Sequence, residues 1–195
     1  MSIQGYAEGI KYKVVEDTQA AEIIMQETSR MTKLVEDILY LSRLDSLEEN
    51  YKYQPLNIDS VINQCLKRTN GAALKNNISL ISDIRCSDIE VSGDEEKLTR
   101  AVTNILSNCI RYAETYVQVK ASCQNNEVII SIQDDGPGFK ENEIKMIFQR
   151  FYKGENGNHG LGLAISKNII DKMNGTLSAE NTTSGALFKI VLPMV

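Results

Sequence analysis

Apolar residues recur along this chain with two different periods, and the change of period divides it. Residues 18–45 carry a helical stripe: Ile24, Met31 and Ile38 stand seven apart, Leu34 and Leu41 fill the offset positions, and Val35 lies beside them. This is the a/d seam of a helical hairpin or coiled coil. One stripe cannot bury itself, so a partner helix is implied. Residues 1–9 also read as helix, but they start abruptly and are too short to cover the seam; residues 10–19 form a polar connection. The abrupt start and the bare seam predict a fragment. Upstream residues or a second subunit would complete the hairpin.

A polar stretch around residues 46–52 marks a domain boundary, and a new rhythm follows. A short strand ends near Ile58. Asp59 is placed to cap a helix carrying Val61, Ile62, Cys65 and Leu66. Residues 78–84 and 89–93 read as strands. Asp94 caps a helix with Leu98, Val102, Ile105, Leu106 and Ile110 on one face. TYVQVKASC and EVIISIQD form a hairpin across QNNE. A long loop runs from Gly136 to about Asn158. A helix spans about Leu161 to Met173 and ends at Asn174-Gly175. TLSAEN and ALFKIVLP close a second hairpin over TTSG. The sum predicts an α+β, two-layer α/β sandwich over residues 50–195, one mixed sheet with helices on one face. A partial helical hairpin over residues 1–46 precedes it.

Composition narrows the function classes. The chain has 195 residues with a formal net charge of −5 and no long run of Lys or Arg. Nucleic-acid binding needs a basic footprint, which is missing. No apolar run reaches the length of a membrane span, and no signal peptide is visible. Cys65, Cys86, Cys109 and Cys123 form no C-x-x-C pair, so buried, reduced thiols are expected.

Four stretches carry candidate chemistry. In NILSNCIRY, Asn104, Asn108 and Arg111 lie four and three apart and share a helix face. Amide oxygens there suit a metal, and a guanidinium suits phosphate. A solvated helix face would show the same pattern. In IQDDGPGF a strand runs into Asp134, with Gly136 and Gly138 around Pro137. Such glycines admit a ligand close to the backbone, and an ordinary turn would also use them. In IFQRFYKG, Phe148, Phe151 and Tyr152 flank Arg150 and Lys153. A hydrophobic plug or a surface helix fits equally. In GNHGLGLAIS, Gly160 and Gly162 open a helix whose amides favour phosphate. This stretch holds His159, the single histidine of the chain.

In this order the four stretches resemble the N box, first glycine box, F box and second glycine box of sensor histidine kinases. Gyrase, Hsp90 and MutL share only the ATP-binding (Bergerat-type) fold. They carry glutamate where Asn104 stands and lack the F box. SIQGYAEGI followed by VEDILYLSRLDS resembles the dimerisation and phosphoacceptor hairpin of the same kinases. In that family the phosphorylated histidine lies in an H-E-x-x-x-P box just before such a segment, so the resemblance implies that the acceptor is absent here.

The resemblance further implies a role for each matching position. Asp134 accepts a hydrogen bond from the adenine amino group, and Tyr112 packs on the base. Asn108 coordinates Mg²⁺ bridging the ATP phosphates. Asn104 orients a water or the metal shell, since an amide has no accessible protonation for base catalysis. Arg111 lies near the phosphates. Gly136 and Gly138 make room for the nucleotide. Phe148, Phe151 and Tyr152 anchor a lid, with Arg150 and Lys153 as phosphate contacts. Gly160, Leu161, Gly162 and Leu163 form the phosphate-side segment, and His159 belongs to the lid and is no phosphoacceptor. Asp135, Asn158 and the SGALF segment depart from the common pattern, and the last of these puts a ligand contact by Gly185 in doubt. The implied activity is ATP-dependent phosphoryl transfer to histidine, then to an aspartate of a response regulator. The implied setting is the cytoplasmic portion of a membrane-anchored, homodimeric bacterial sensor kinase, with no nucleic acid and with the membrane reached only through the absent N-terminal part. A nucleotide-binding or regulator-binding module without kinase activity is the alternative; an ATPase or serine kinase of the same fold is disfavoured by Asn104 and the hairpin.

Overall fold

The computed structural model describes residues 3–45, 51–85, 89–140, 142–153 and 159–195. The chain forms two compact units, Met1–Glu48 and Glu49–Val195.

In the first unit α1 (Ile3–Lys11) and α2 (Asp17–Asp45) pack as a helical hairpin. The turn between them is closed by the Val14 N–H donating to the Gly9 carbonyl at 2.9 Å. The nine residues of α1 cannot cover a helix of 29. Met31, Val35 and Ile38 of the seam, with Met25 and Leu39, stay exposed. Among the described residues no helix is long and apolar enough to cross a membrane.

In the second unit the elements run β1 (Gln54–Asn57), α3 (Ile58–Lys75), β2 (Ser79–Ile84), β3 (Glu90–Gly93), α4 (Glu95–Tyr112), β4 (Tyr116–Gln124), β5 (Glu127–Asp134), α5 (Gly162–Lys172), β6 (Thr176–Thr182) and β7 (Gly185–Pro193). The main sheet has five strands in the order β2-β4-β5-β7-β6. Only β2 and β4 are parallel; the remaining pairs are antiparallel. The mixed sheet and helical layer match the expectation, with one correction. β1 and β3 do not join that sheet. They pair with each other as a separate antiparallel ribbon, which touches the chain just beyond β7 only through an isolated antiparallel bridge between Val91 and Met194.

Burial alternates along the central strands as a half-buried sheet requires. Val117, Val119 and Ala121 of β4, Val128, Ile130 and Ile132 of β5, and Phe188, Ile190 and Leu192 of β7 are buried. Against them lie Leu98, Val102, Ile105, Leu106 and Cys109 of α4, with Ile62 and Cys65 of α3 and Ile165, Ile169 and Ile170 of α5. The alternation of β5 continues one step further to Asp134, which therefore faces the helix layer instead of solvent.

Local chemistry sets the boundaries. Asn125 and Asn126 have φ of 52° and 65°, the double left-handed conformation of a two-residue type I′ hairpin turn. Asn174, at φ 56°, terminates α5. Asp94 caps α4, accepting from the Lys97 N–H. The expected cap of α3 is corrected: Asn57, not Asp59, accepts from the Ser60 N–H at 2.9 Å. β1 runs directly into the helix, which leaves its last residue extended and in cap position while Asp59 falls in the first turn. Asn57→Ala is therefore expected to lower stability by about 1 kcal/mol, with Asp59→Ala costing at most a few tenths of a kcal/mol through the helix dipole. Urea unfolding of both variants checks the order.

Cys65 and Cys109 are buried free thiols. Cys123, half-exposed near the end of β4, is disulfide-bonded, so among the described cysteines the expectation of buried, reduced thiols holds for Cys65 and Cys109 and not for Cys123. Cys86 lies outside the described residues.

Candidate nucleotide site

The site gathers where α4, β5 and α5 end or begin. The polar positions of α4 emerge from its apolar face at half-turn offsets, leaving Asn104, Asn108 and Tyr112 half-buried and Arg111 exposed. The Asn104 amide donates to the Gly162 carbonyl at 3.3 Å, joining α4 to the first turn of α5. Ser166, fully buried one turn on, donates to Ala101 and Gly162 carbonyls at 3.0 and 2.9 Å and locks the same two helices. No side-chain hydrogen bond caps the start of α5 at Leu161 among the described residues. Such a helix end suits an anion. Leu161 itself is only 1% exposed, so its side chain belongs to the core and only its backbone faces the site.

Asp134 is the chemical centre. It is 1% exposed, and its Oδ1 accepts from the Gly136 N–H at 3.1 Å and the Ala186 N–H at 3.2 Å. The Cys109 thiol is also hydrogen-bonded to this carboxyl group. Burial raises the Asp134 pKa, and the N–H and S–H donors only partly offset it. Burial, followed by the Asp134 charge, pushes the Cys109 thiol well up, so the sulfur keeps its proton and donates it. Oδ1 is thus held by two backbone amides, and a carboxylate retains further acceptor capacity on its second oxygen.

Gly136 lies against the last turn of α4. A Cβ there would fall on the Tyr112 carbonyl oxygen and 2.9 Å from its carbon. The first glycine segment and α4 are thus in backbone contact. On the far side, the Phe151 N–H donates to the Gly160 carbonyl at 2.9 Å, joining the aromatic segment to the second glycine segment. Contacts through Asn104–Gly162, Tyr112–Gly136 and Phe151–Gly160 therefore bring all four stretches of the sequence together.

The aromatic segment differs from expectation. Phe151 does not anchor it: the ring is 63% exposed on a backbone with φ 64°. Ile147 is the buried residue, held in successive turns through the Glu143 carbonyl at 3.0 Å. Burial, followed by the nearby Glu143 charge, pushes the Tyr152 hydroxyl pKa up. Phe148 and His159 are half-exposed, and Arg150 and Lys153 are exposed. Asn158 lies outside the described residues.

Sequence reasoning missed the second wall of the site. Gly185, at φ 144°, passes so close to the Asp134 carbonyl that a Cβ would fall on it, and Ala186 supplies an N–H to the carboxylate. These are backbone contacts between strands, with no side-chain signature. Asp135 was also undervalued. Its carboxylate accepts from the N–H groups of Glu114, Thr115 and Tyr116 at 2.9–3.1 Å and from the Thr115 hydroxyl, tying the end of α4 to β4. Burial pushes this carboxyl up, but the Thr115, Tyr116 and Glu114 donors together outweigh it and hold the pKa at about 2. A depressed folded-state pKa stabilises above the unfolded value, near 3.9, and that stability is lost as pH falls towards 2. Asp135→Asn keeps an acceptor but no titration, so its stability curve is expected to be flatter between about pH 4 and 2. Acid unfolding followed by circular dichroism checks this.

Comparison with known proteins agrees with this geometry. Residues 93–195 match the family of histidine kinase-, DNA gyrase B- and HSP90-like ATPases. Residues 1–47 match the His Kinase A (phospho-acceptor) domain. The chain is 30% identical to the sensor histidine kinase CssS of Bacillus subtilis, over 99% of this chain and 43% of that protein. It thus spans less than half the length of this curated relative. The structure is similar to Acinetobacter baumannii histidine kinase AdeS, with a TM-score of 0.82 at 24% identity over 98% of this chain and 93% of that one. It is also similar to histidine kinase ThkA, solved in complex with the response regulator protein TrrA, with a TM-score of 0.82 at 24% identity over 99% of this chain and 57% of that one. A buried carboxylate at the end of β5, two glycine segments in contact with one polar helix face, and matches to both domain families over these residues lead to one conclusion: the chain belongs to the sensor histidine kinases, within the histidine kinase-, gyrase B- and HSP90-like ATPases.

Proposed function

We propose that residues 50–195 bind Mg²⁺-ATP and transfer its γ-phosphate to a histidine, for relay to an aspartate of a response regulator. Residues 1–46 belong to a dimerisation and phosphoacceptor hairpin. In this reading the chain is the cytoplasmic portion of a membrane-anchored bacterial sensor kinase that works as a homodimer. The observation that carries the reading is Asp134, a buried carboxylate with one oxygen fixed by two backbone amides; in this reading the other oxygen accepts from an exocyclic amine.

Each neighbour then has a task. Tyr112 packs on the base. Gly136 and Gly138 admit the nucleotide along the backbone. Arg111, Arg150 and Lys153 lie towards the phosphates, and the uncapped amides from Gly160 to Leu163 receive them. Asn104 holds α4 against α5 and, being an amide, cannot deprotonate water, which spares ATP from hydrolysis. Asn108 would hold Mg²⁺, whose charge helps neutralise the phosphates. Among the described residues no group of three or more His, Cys, Asp or Glu could hold a metal. A single amide oxygen fits Mg²⁺, which keeps waters and phosphate oxygens around one or two protein ligands. The protein's contribution is positioning and charge neutralisation. The acceptor is a neutral imidazole, available near pH 7 because its pKa is about 6.5. Residues 1–47 hold no histidine, so that imidazole comes from outside this sequence.

Titration with a fluorescent ATP analogue tests the site. Binding is expected to require Mg²⁺, and Asn108→Ala is expected to lose the Mg²⁺-dependent part. No binding by the unaltered chain would sink the nucleotide assignment. Labelled ATP supplied with a histidine-bearing hairpin is expected to leave acid-labile, base-stable phosphate on that hairpin. Nucleotide binding without any such transfer would favour a binding module of the same fold.

A further inference from the structure

Beyond Asp134 the chain leaves the main sheet. β5 pairs with β4 as far as Asp134 and with β7 as far as Gln133, so the ladder offers nothing to residues 135–139. Yet Phe139 is held. The side-chain carboxamide of Asn181, on edge strand β6, accepts from the Phe139 N–H through Oδ1 at 2.8 Å. Its Nδ2 donates to the Phe139 carbonyl, also at 2.8 Å. One amide side chain thus exchanges both hydrogen bonds with one residue, as a neighbouring strand would.

Two further observations interlock with this bridge. Gly138 has φ 72°, and a Cβ there would lie 2.6 Å from Asn181 Oδ1, so the carboxamide occupies the space that glycine leaves. The Phe139 ring stands edge-on to the fully buried Phe188 at a centroid distance of 5.6 Å. Asn181 itself is exposed, so its bonds do not serve the hydrophobic core. The adjoining turn is ordered in the same direction. Gln133 donates to the Thr182 hydroxyl at 3.0 Å, and that hydroxyl donates to the Gly185 carbonyl at 3.0 Å.

We propose that Asn181 is a positioning residue of the nucleotide site. It substitutes for the missing strand beside Gly136–Phe139 and fixes the path by which this segment passes the ligand. The inference rests on the reading of residues 134–139 as nucleotide contacts. Its loss frees the segment at Phe139 while leaving β6, β7 and the core in place, so binding suffers more than folding.

The test compares the unaltered chain, Asn181→Ala, Asn181→Asp and Ser178→Ala, an exposed position on the same strand. Two readouts are ATP-analogue titration and hydrogen exchange at the Phe139 amide. Asn181→Ala is expected to bind about tenfold more weakly, because the freed segment must be ordered when the ligand binds. Its Phe139 amide should exchange faster and its urea midpoint should barely move. Asn181→Asp keeps the acceptor and lacks the donor. It should retain more Phe139 protection than the alanine variant, and it carries the test if that variant fails to fold. Ser178→Ala should change neither readout. A freed Phe139 amide with unchanged ATP affinity overturns the proposal, and so does an amide that stays protected. No binding by the unaltered chain overturns the nucleotide reading and this inference together, and it is visible before any substitution.

Discussion

Asp134→Asn is expected to weaken ATP binding by roughly 10- to 100-fold, the range for losing a hydrogen bond to a charged acceptor. The substitution is isosteric, so the cause is chemical. The Gly136 and Ala186 amides both point at Oδ1 and will hold the carboxamide oxygen there. The NH₂ group must then take the other position. In the proposed site that position faces the adenine amine, and donor meets donor. A 6-oxo purine offers an acceptor instead, so the preference for ATP over ITP should shrink in the same variant. Competition titrations with the two nucleotides measure it.

The pH dependence follows from the direction of the shift. Burial raises the Asp134 pKa in the folded state. Ionisation of this group therefore opposes folding at neutral pH. The opposition is relieved as pH falls through the folded-state pKa, and is gone below the unfolded value near 3.9. Binding runs the other way: ATP affinity should fall with acidification sooner than for an ordinary aspartate. Asp134→Asn should abolish both effects without lowering stability at pH 7.

Gly136→Ala should cost about 1–3 kcal/mol of stability, the usual range for forcing an added methyl into a filled space. Here the closest atoms met are backbone: the Cβ would collide with the Tyr112 carbonyl, and it would also stand 3.2 Å from the Asp134 side chain at Oδ1. A backbone carbonyl has no rotamer to retreat into, so either the last turn of α4 or the glycine segment must shift. Both carry proposed nucleotide contacts, Arg111 and Tyr112 on one side and Asp134 on the other. ATP binding should fall even where the variant is fully folded. The melting temperature should drop by roughly 2–4 °C per kcal/mol for a unit of this size. A thermal melt beside a titration reads both, and a variant that melts and binds like the parent would show that the contact is slack.

Much of this was legible in the chain because it is written in side chains at fixed local periods. The buried face of α4, the Asp94 cap, the Asn125-Asn126 turn and the four chemical stretches all show in windows of fewer than 20 residues. Asp134 is the clearest case. It continues the alternation of Val128, Ile130 and Ile132, so a carboxylate on the buried face could be read before any coordinates. Where the reading failed, two local candidates looked alike. Asn57 and Asp59 are both good caps, and only the end of β1 decides between them. Phe151 and Ile147 are both apolar in a segment of turns without a period, and the aromatic residue was the one left outside.

The sequence by itself determined the two layers, the helical hairpin, the family and the four stretches that the fold brings together, because hydrophobic period and motif order are local properties. Only the tertiary structure decided what holds those stretches in place. The Ala186 and Gly136 amides on Asp134, the Asp135 carboxylate across α4 and β4, and the Asn181 bridge to Phe139 join residues 2 to 52 positions apart. They depend on strand register and on backbone donors, which every residue but proline possesses, and no residue type announces them.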